Sequence, residues 1–278
     1  MIYAMLRILM STYNGARYLA EQLDSIIAQT YTDWRLTVRD DGSTDGTLAV
    51  LADYAKKDKR ITILSDGENL GACKSFERLL TQCNDAEYYA FADQDDVWDI
   101  NKLAVCMATI LSAERDFPDK PIVVHSDLRV VDEQLHEIAS SFWQYSNICP
   151  DLLNHNIHYL AICNSVTGCA MLFNRAACRS ALPFAKKAYM HDAWIALQTM
   201  LAGGQIIAIR QTLMAYRQHG NNTLGAVRYS VLGKSWEERK IGAQLSYHMS
   251  HPKVYANKMQ FWWWKMIYLG HRMIYTRK

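Results

Sequence analysis

"WRLTVRDDGSTDG", Trp34 to Gly46, is a short β-rich run that breaks into a cluster of acids, glycines and hydroxyls. Trp, Leu, Thr and Val suit a pleated, half-buried strand. Asp-Gly and Ser-Thr-Asp are turn and helix-capping chemistry, with Ser43, Thr44 or Asp45 as the cap, and a helical pattern follows over 46–58. The same unit repeats on either side: "LRILMS" then 17–29, "ITILS" then 72–83, and "YYAFAD" ahead of another polar cluster. Strands that alternate with helices predict a mainly parallel sheet, because a parallel neighbour needs a crossover and the crossover is usually a helix. The expected fold class is α/β, a mainly parallel sheet flanked by helices, with a helical C-terminal extension.

Ligands of such sheets collect at the carboxyl ends of the strands. Four polar clusters fall there: "STYNG" at 11–15, "DDGSTDG" at 40–46, "DGENLG" at 66–71 and "DQDD" at 93–96. They are expected to meet along one rim. Beyond residue 120 the order loosens. "KPIVVHSDLRVVD" and "NSVTGCAMLFN" suggest strands, 140–160 has no clear period, and "YMHDAWIALQTMLAGG" returns to a helix ended by Gly203 and Gly204.

Bulk properties narrow the function classes. Thirty Lys and Arg against 28 Asp and Glu leave a formal charge of +2, so the balance does not point to a nucleic-acid binder. The seven cysteines include no CxxC pair and read as reduced, mostly buried thiols, which argues against a disulfide scaffold or a zinc ribbon. The opening "MIYAMLRILM" is too short for a membrane span and reads as the first strand of a cytoplasmic protein. No GxxxxGKS, GxxxxGKT or GxGxxG follows a strand, which disfavours an ATPase or a dehydrogenase.

Three aspartates within four residues repel one another unless a cation lies between them, and a hard divalent ion with oxygen ligands is the simplest remedy. Asp93 and Asp95, two apart where a strand begins to turn, can both reach one Mg2+ or Mn2+. An isolated acidic loop of this kind is more often solvated or capping; its position at a predicted ligand crevice favours the metal. The doublet Asp40-Asp41 exceeds what one cap needs, and a carboxylate can accept from a nucleobase imide or a ribose hydroxyl. Thr12 and Tyr13 offer hydroxyls and a ring for a base, and Asn14 and Gly15 form the turn.

Together, "STYNG", "QLDSIIAQTYTDW", "VRDDGSTDGT", "ENLGACKSFERLL", "FADQDDVW", "TGCAMLFNR", "HDAW" and "YRQHGNNTLG" resemble the family 2 glycosyltransferases of the GT-A fold, and within them the rhamnosyltransferase-like branch that builds bacterial surface polysaccharides. The resemblance runs over about residues 5–226 in the expected order and implies a nucleotide-binding, Rossmann-like mixed sheet. It implies that Thr12, Tyr13, Asn14, Asp40 and Asp41 surround a nucleotide. It implies also that Asp93 and Asp95 grip a divalent metal, with Asp93 reaching the ribose. By the same resemblance Asp192 is the catalytic base of an inverting transfer and His219 lies near the diphosphate as a metal ligand. Against these, Asp192 could simply cap its helix and His219 could be an ordinary loop histidine. Trp98 and Gly168 are taken as sugar or acceptor contacts, though a strand glycine can also mark a bulge.

The implied reaction moves a sugar, L-rhamnose from dTDP-rhamnose or a hexose from UDP, onto a saccharide or lipid-linked acceptor. Two other classes compete. A sugar-phosphate nucleotidyltransferase would carry a glycine-rich, basic first loop, which "STYNGARY" is not; a non-catalytic sugar binder would not hydrolyse donor. The catalytic domain is expected over 1–226 and a helical extension over 227–278. In "KVYANKMQFWWWKMIYLGHRMIYTRK", Lys258, Lys265 and Arg272 recur every seven residues with Trp262, Met266 and Leu269 elsewhere around the helix. That pattern suits either a helix in a membrane interface at 254–278 or one packed on its own domain or a partner. It would place the enzyme at the inner face of the cytoplasmic membrane.

Overall fold

The computed structural model describes residues 5–64, 66–220, 225–226, 242, 246–250 and 253–275. Its strands are β1 (Leu6–Thr12), β2 (Trp34–Asp40), β3 (Ile61–Leu64), β4 (Tyr88–Ala92), β5 (Val97–Trp98), β6 (Ile122–Val131), β7 (Glu137–Ala139), β8 (Met171–Asn174) and β9 (Gln205–Arg217). The helices are α1 (Leu19–Ile27), α2 (Thr47–Lys57), α3 (Ala72–Gln82), α4 (Lys102–Asp116), the short α5 (Phe142–Tyr145), α6 (Pro150–Leu153) and α7 (Ile157–Ile162), then α8 (Arg175–Ala181), α9 (His191–Leu201) and α10 (Lys258–Tyr275). The sheet order is β3-β2-β1-β4-β8-β6-β9-β5, with β7 beside β6.

β3, β2, β1 and β4 are all parallel, as the strand-helix repeat predicts. β8 then enters antiparallel between β4 and β6, and β6 pairs parallel with β9, so the sheet is mixed. Buried strands lose the polar alternation but keep the period of two. Leu6, Ile8 and Met10 of β1 join Leu19, Leu23 and Ile26 of α1 and Leu103 and Ile110 of α4 on one face. Leu9, Tyr89 and Phe91 face the other way, onto Phe76 and Leu79 of α3 and Trp194 and Ile195 of α9. Each such side chain, fully withdrawn from water, contributes about 1.5–3 kcal/mol before conformational entropy is counted. β9, whose first half mixes buried Ile206 and Ile209 with partly buried and exposed residues, is an element the sequence pattern did not announce.

Of the expected extension, 227–241, 243–245, 251–252 and 276–278 lie outside the described residues. What is described packs on the sheet domain. Phe261 of α10 shares an apolar cluster with Ala161 of α7, Leu197 of α9 and Tyr255, and Tyr268 packs with Tyr159 and Leu153. Among the described residues, no helix is long and apolar enough to cross a membrane.

Candidate active site

The four polar clusters meet at the carboxyl ends of β1, β2 and β4. The Asp41 backbone N–H donates to the Thr12 carbonyl at 2.7 Å, and the Thr44 N–H donates to Asn14 Oδ1 at 2.8 Å. Asn14 holds this place with φ at 48°, a left-handed conformation that Asn tolerates better than most residues. Gln94 ties the first cluster to the last, accepting from the Tyr13 N–H at 2.9 Å and donating to the Tyr13 carbonyl at 3.0 Å. The Tyr13 side chain is half exposed and free to meet a flat ligand.

The two aspartates of the doublet have different capacities. A carboxylate offers about four acceptor positions. Asp40 fills them: Oδ1 accepts from the Thr12 and Ser43 hydroxyls, and Oδ2 from the N–H groups of Gly42 and Ser43. Asp40 therefore builds the turn, and buried Thr12 has already given its proton to it. Asp41 accepts at Oδ1 from Arg39 and the Leu70 N–H, but at Oδ2 only from the Gly71 N–H at 2.8 Å. One acceptor position of Asp41 stays open, which distinguishes it from Asp40. Arg39 is fully buried and also binds Asp66, the Ser75 hydroxyl and the Glu68 carbonyl. The sequence reading gave Arg39 no role, although it stands inside the quoted motif.

The acidic cluster lies behind the end of β4. Asp95 Oδ2 and His219 Nε2 are 2.7 Å apart, which joins two residues 124 positions distant. Donor atoms of Asp93, Asp96 and Cys169 lie within 4.8 Å of one another. Burial, then Asp95 and Asp192, push the Asp93 carboxyl up to about 7. Asp96 is fully buried and is raised for the same kind of reason, burial followed by Asp95 and Asp93. Such mutual elevation is relieved either by a shared proton or by a cation. Of the residues expected to hold a metal, Asp95 and His219 touch each other, whereas Asp93 converges with Asp96 and Cys169; carboxylate oxygens beside one imidazole are donor chemistry compatible with a hard divalent ion.

Arg217, buried and unassigned by sequence, fixes the frame around this cluster. Its backbone N–H donates to Asp96 Oδ1 at 3.1 Å, and its guanidinium donates to the carbonyls of Asp95 at 2.8 Å and Glu133 at 2.6 Å and to the carboxylate of Glu21. The guanidinium also lies 4.6 Å from the Tyr18 ring centroid. Trp98, expected to contact sugar, is instead 3% exposed within the main core. Its ring carries the Lys102 ammonium at 3.5 Å, so one face is already covered and little of the side chain is open to a ligand. Burial lowers Lys102 to about 8, and it donates to the Cys169 carbonyl.

Asp192 opens α9, where the free N–H groups of the first turn favour a carboxylate. Its Oδ2 accepts from the Gly168 N–H at 3.0 Å and its Oδ1 from the Ala193 N–H. Burial raises it to about 6. Asp192 thus satisfies a first-turn N–H of α9, whose N-cap residue is Met190, and is also an acid with a pKa close to that useful for proton transfer. Gly168 is required by packing: a Cβ there would stand 2.5 Å from His191 Nε2. That imidazole is wedged 4.1 Å from the Phe76 ring and 4.9 Å from the Phe91 ring. Gly168→Ala should therefore cost about 1–3 kcal/mol through overpacking and shift the bond to Asp192, seen as a lower Tm together with reduced turnover. An unchanged Tm would show that His191 gives way freely.

A parallel half-sheet whose strand ends carry a nucleotide-sized polar rim, continued by an acidic cluster and a mixed half-sheet, is the architecture of the GT-A class of glycosyltransferase. The sequence profile described as Glycosyl transferase family 2 matches residues 7–179. The chain belongs to that family. It is 29% identical over 222 residues to an uncharacterised glycosyltransferase of Haemophilus influenzae, covering 78% of this chain and 66% of the relative. It thus spans just under two thirds of that relative's length. It is 37% identical over 98 residues to the dTDP-rhamnosyl transferase RfbG of Shigella flexneri, covering 34% of each. Among solved structures, the mannosyltransferase PcManGT of Pyrobaculum calidifontis in complex with GDP-Man and Mn2+ has a TM-score of 0.60 at 18% identity, covering 78% of this chain and 58% of that one. At that identity the likeness is one of fold.

Proposed function

We propose that this glycosyltransferase inverts the anomeric centre of its donor, depends on Mg2+ or Mn2+, and transfers L-rhamnose from dTDP-rhamnose to a surface polysaccharide or lipid-linked oligosaccharide. The observation that carries the reaction type is Asp192, a half-buried carboxylate raised to about 6 that stands near enough to Asp93 to elevate it. The Asp192 carboxylate takes the proton of the acceptor hydroxyl as that oxygen bonds to the anomeric carbon. The bond from that carbon to the diphosphate oxygen breaks on the opposite face, which gives inversion. Asp93, Asp95 and His219 would hold the cation, which when bound supplies positive charge to the departing diphosphate. Tyr13 and the spare acceptor position of Asp41 receive the nucleobase, while Asp40, Thr12 and Asn14 shape the loop that presents them.

The rhamnosyl reading is supported by the 37% identity to RfbG, which covers a third of the chain. A donor panel of dTDP-rhamnose, UDP-glucose, UDP-galactose and UDP-N-acetylglucosamine, scored by nucleotide release with Mg2+ or Mn2+, tests it. dTDP-rhamnose should be turned over fastest. A UDP-hexose in first place would replace the donor and leave the reaction type standing. A lipid-linked acceptor would place the enzyme at the inner face of the cytoplasmic membrane, in peripheral contact.

A further inference from the structure

Helix α10 buries one face and leaves the opposite one open. Phe261 and Tyr268 are buried at 1% and 3%, whereas Met259, Trp262, Trp263, Met266, Met273 and Ile274 are 46–82% exposed. At about 100° per residue these six positions, with Leu269 and Gly270, fall within an arc of about 140°. Every residue in that arc is apolar or glycine. An exposed apolar stripe four turns long, with two adjacent tryptophans, is far more than the scattered surface apolars of an ordinary domain.

The charge around the stripe selects its occupant. Lys258 and Lys265 border one edge, and the Lys265 ammonium rests 5.1 Å from the Trp262 ring centroid. No Asp or Glu occurs anywhere in 258–275. We infer that this face of α10 docks on an anionic lipid surface, with the tryptophans at headgroup depth and the two lysines against lipid phosphates. A second copy of the chain is a poorer match, because an antiparallel two-fold pairing of this face brings the lysine edges together and a parallel one sets each against the opposite edge, with no carboxylate on either helix to meet them. The docked helix would sit close to the chemistry, since Phe261 of α10, Ala161 of α7 and Leu197 of α9 form one apolar cluster, and α9 carries Asp192 in its first turn. The inference deepens the peripheral contact proposed above, and its readout is independent of transfer.

The test is flotation of the full chain with vesicles of phosphatidylglycerol and phosphatidylethanolamine, or of phosphatidylcholine alone, at low and high salt. The variant Trp262→Ser/Trp263→Ser/Met266→Ser touches only exposed side chains, and circular dichroism establishes that it folds. Wild type should float with the anionic vesicles, less so at high salt, and the variant should lose about tenfold or more of the bound fraction. Equal flotation of the two proteins overturns the inference. So does a wild type that fails to float, in particular one whose mass by light scattering is a dimer that the variant dissolves, since the face would then belong to a second copy. Donor hydrolysis, measured on the same samples without lipid, separates failure of docking from failure of the proposed transfer.

Discussion

Asp192→Asn should bind nucleotide sugar as wild type does and transfer it about 10²–10⁴-fold more slowly, the usual loss when a general base is removed. The amide can still accept from the Gly168 and Ala193 N–H groups, so the first turn of α9 keeps an acceptor. It cannot take a proton. Because the base must be ionised and burial lifts Asp192 to about 6, wild-type turnover should fall as pH drops through about 6, and the residual activity of the variant should lack that limb. Stability should move the other way. A carboxyl whose folded pKa lies above its unfolded value opposes folding increasingly as pH rises between the two, so the asparagine variant should melt no lower than wild type near pH 8. Transfer at close to the wild-type rate would leave Asp192 as an acceptor for the helix end only. Asp96, the next acid in the cluster, is fully buried against Arg217 and is badly placed to replace it.

Asp95→Ala should abolish the metal dependence of donor binding while leaving the empty protein folded. The substitution removes a carboxylate ligand and strands His219, 2.7 Å away, without its partner. It also removes a charge that elevates Asp93 and Asp96, so repulsion within the cluster falls and the loss of the contact with His219 is partly offset. Calorimetric titration of nucleotide with and without Mn2+ distinguishes the outcomes. A variant that keeps the full metal-dependent gain in affinity would rule out the Asp95 and His219 pair as metal holders.

The first half of the fold was readable because its information is local. β1, β2 and β3 are short β-rich runs that end in turn residues, and each is followed by a helical pattern. β9 was not readable. Its first half mixes buried with partly buried and exposed residues, and its pairing with β6 slips register near Ser126 and Asp127, so "QIIAIRQTLMAYR" shows no steady alternation. The rim was legible as a place, but not in its division of labour. Nothing in "DDG" says that Asp40 spends every acceptor position on Thr12, Ser43 and Gly42 while Asp41 keeps one. Trp98 looked like a ligand contact because it adjoins the acidic motif; which way a side chain faces at the end of a two-residue strand depends on β9 behind it. Gly168 needs to be glycine because of an imidazole 23 positions later, which no local pattern encodes.

The bonds of Arg217 and His219 to the 95–96 loop span 121 to 124 residues, whereas β3, β2, β1 and β4 pair entirely within residues 6–92. During synthesis, then, the nucleotide half of the sheet has all of its own strands available long before the chain reaches residue 217. Contacts at such sequence separation are the slow ones to form, because the intervening loop must be closed first. The expected order of assembly is therefore the polar rim of β1, β2 and β4 first, with the 95–96 loop gaining its frame from Arg217 and His219 only when β9 arrives.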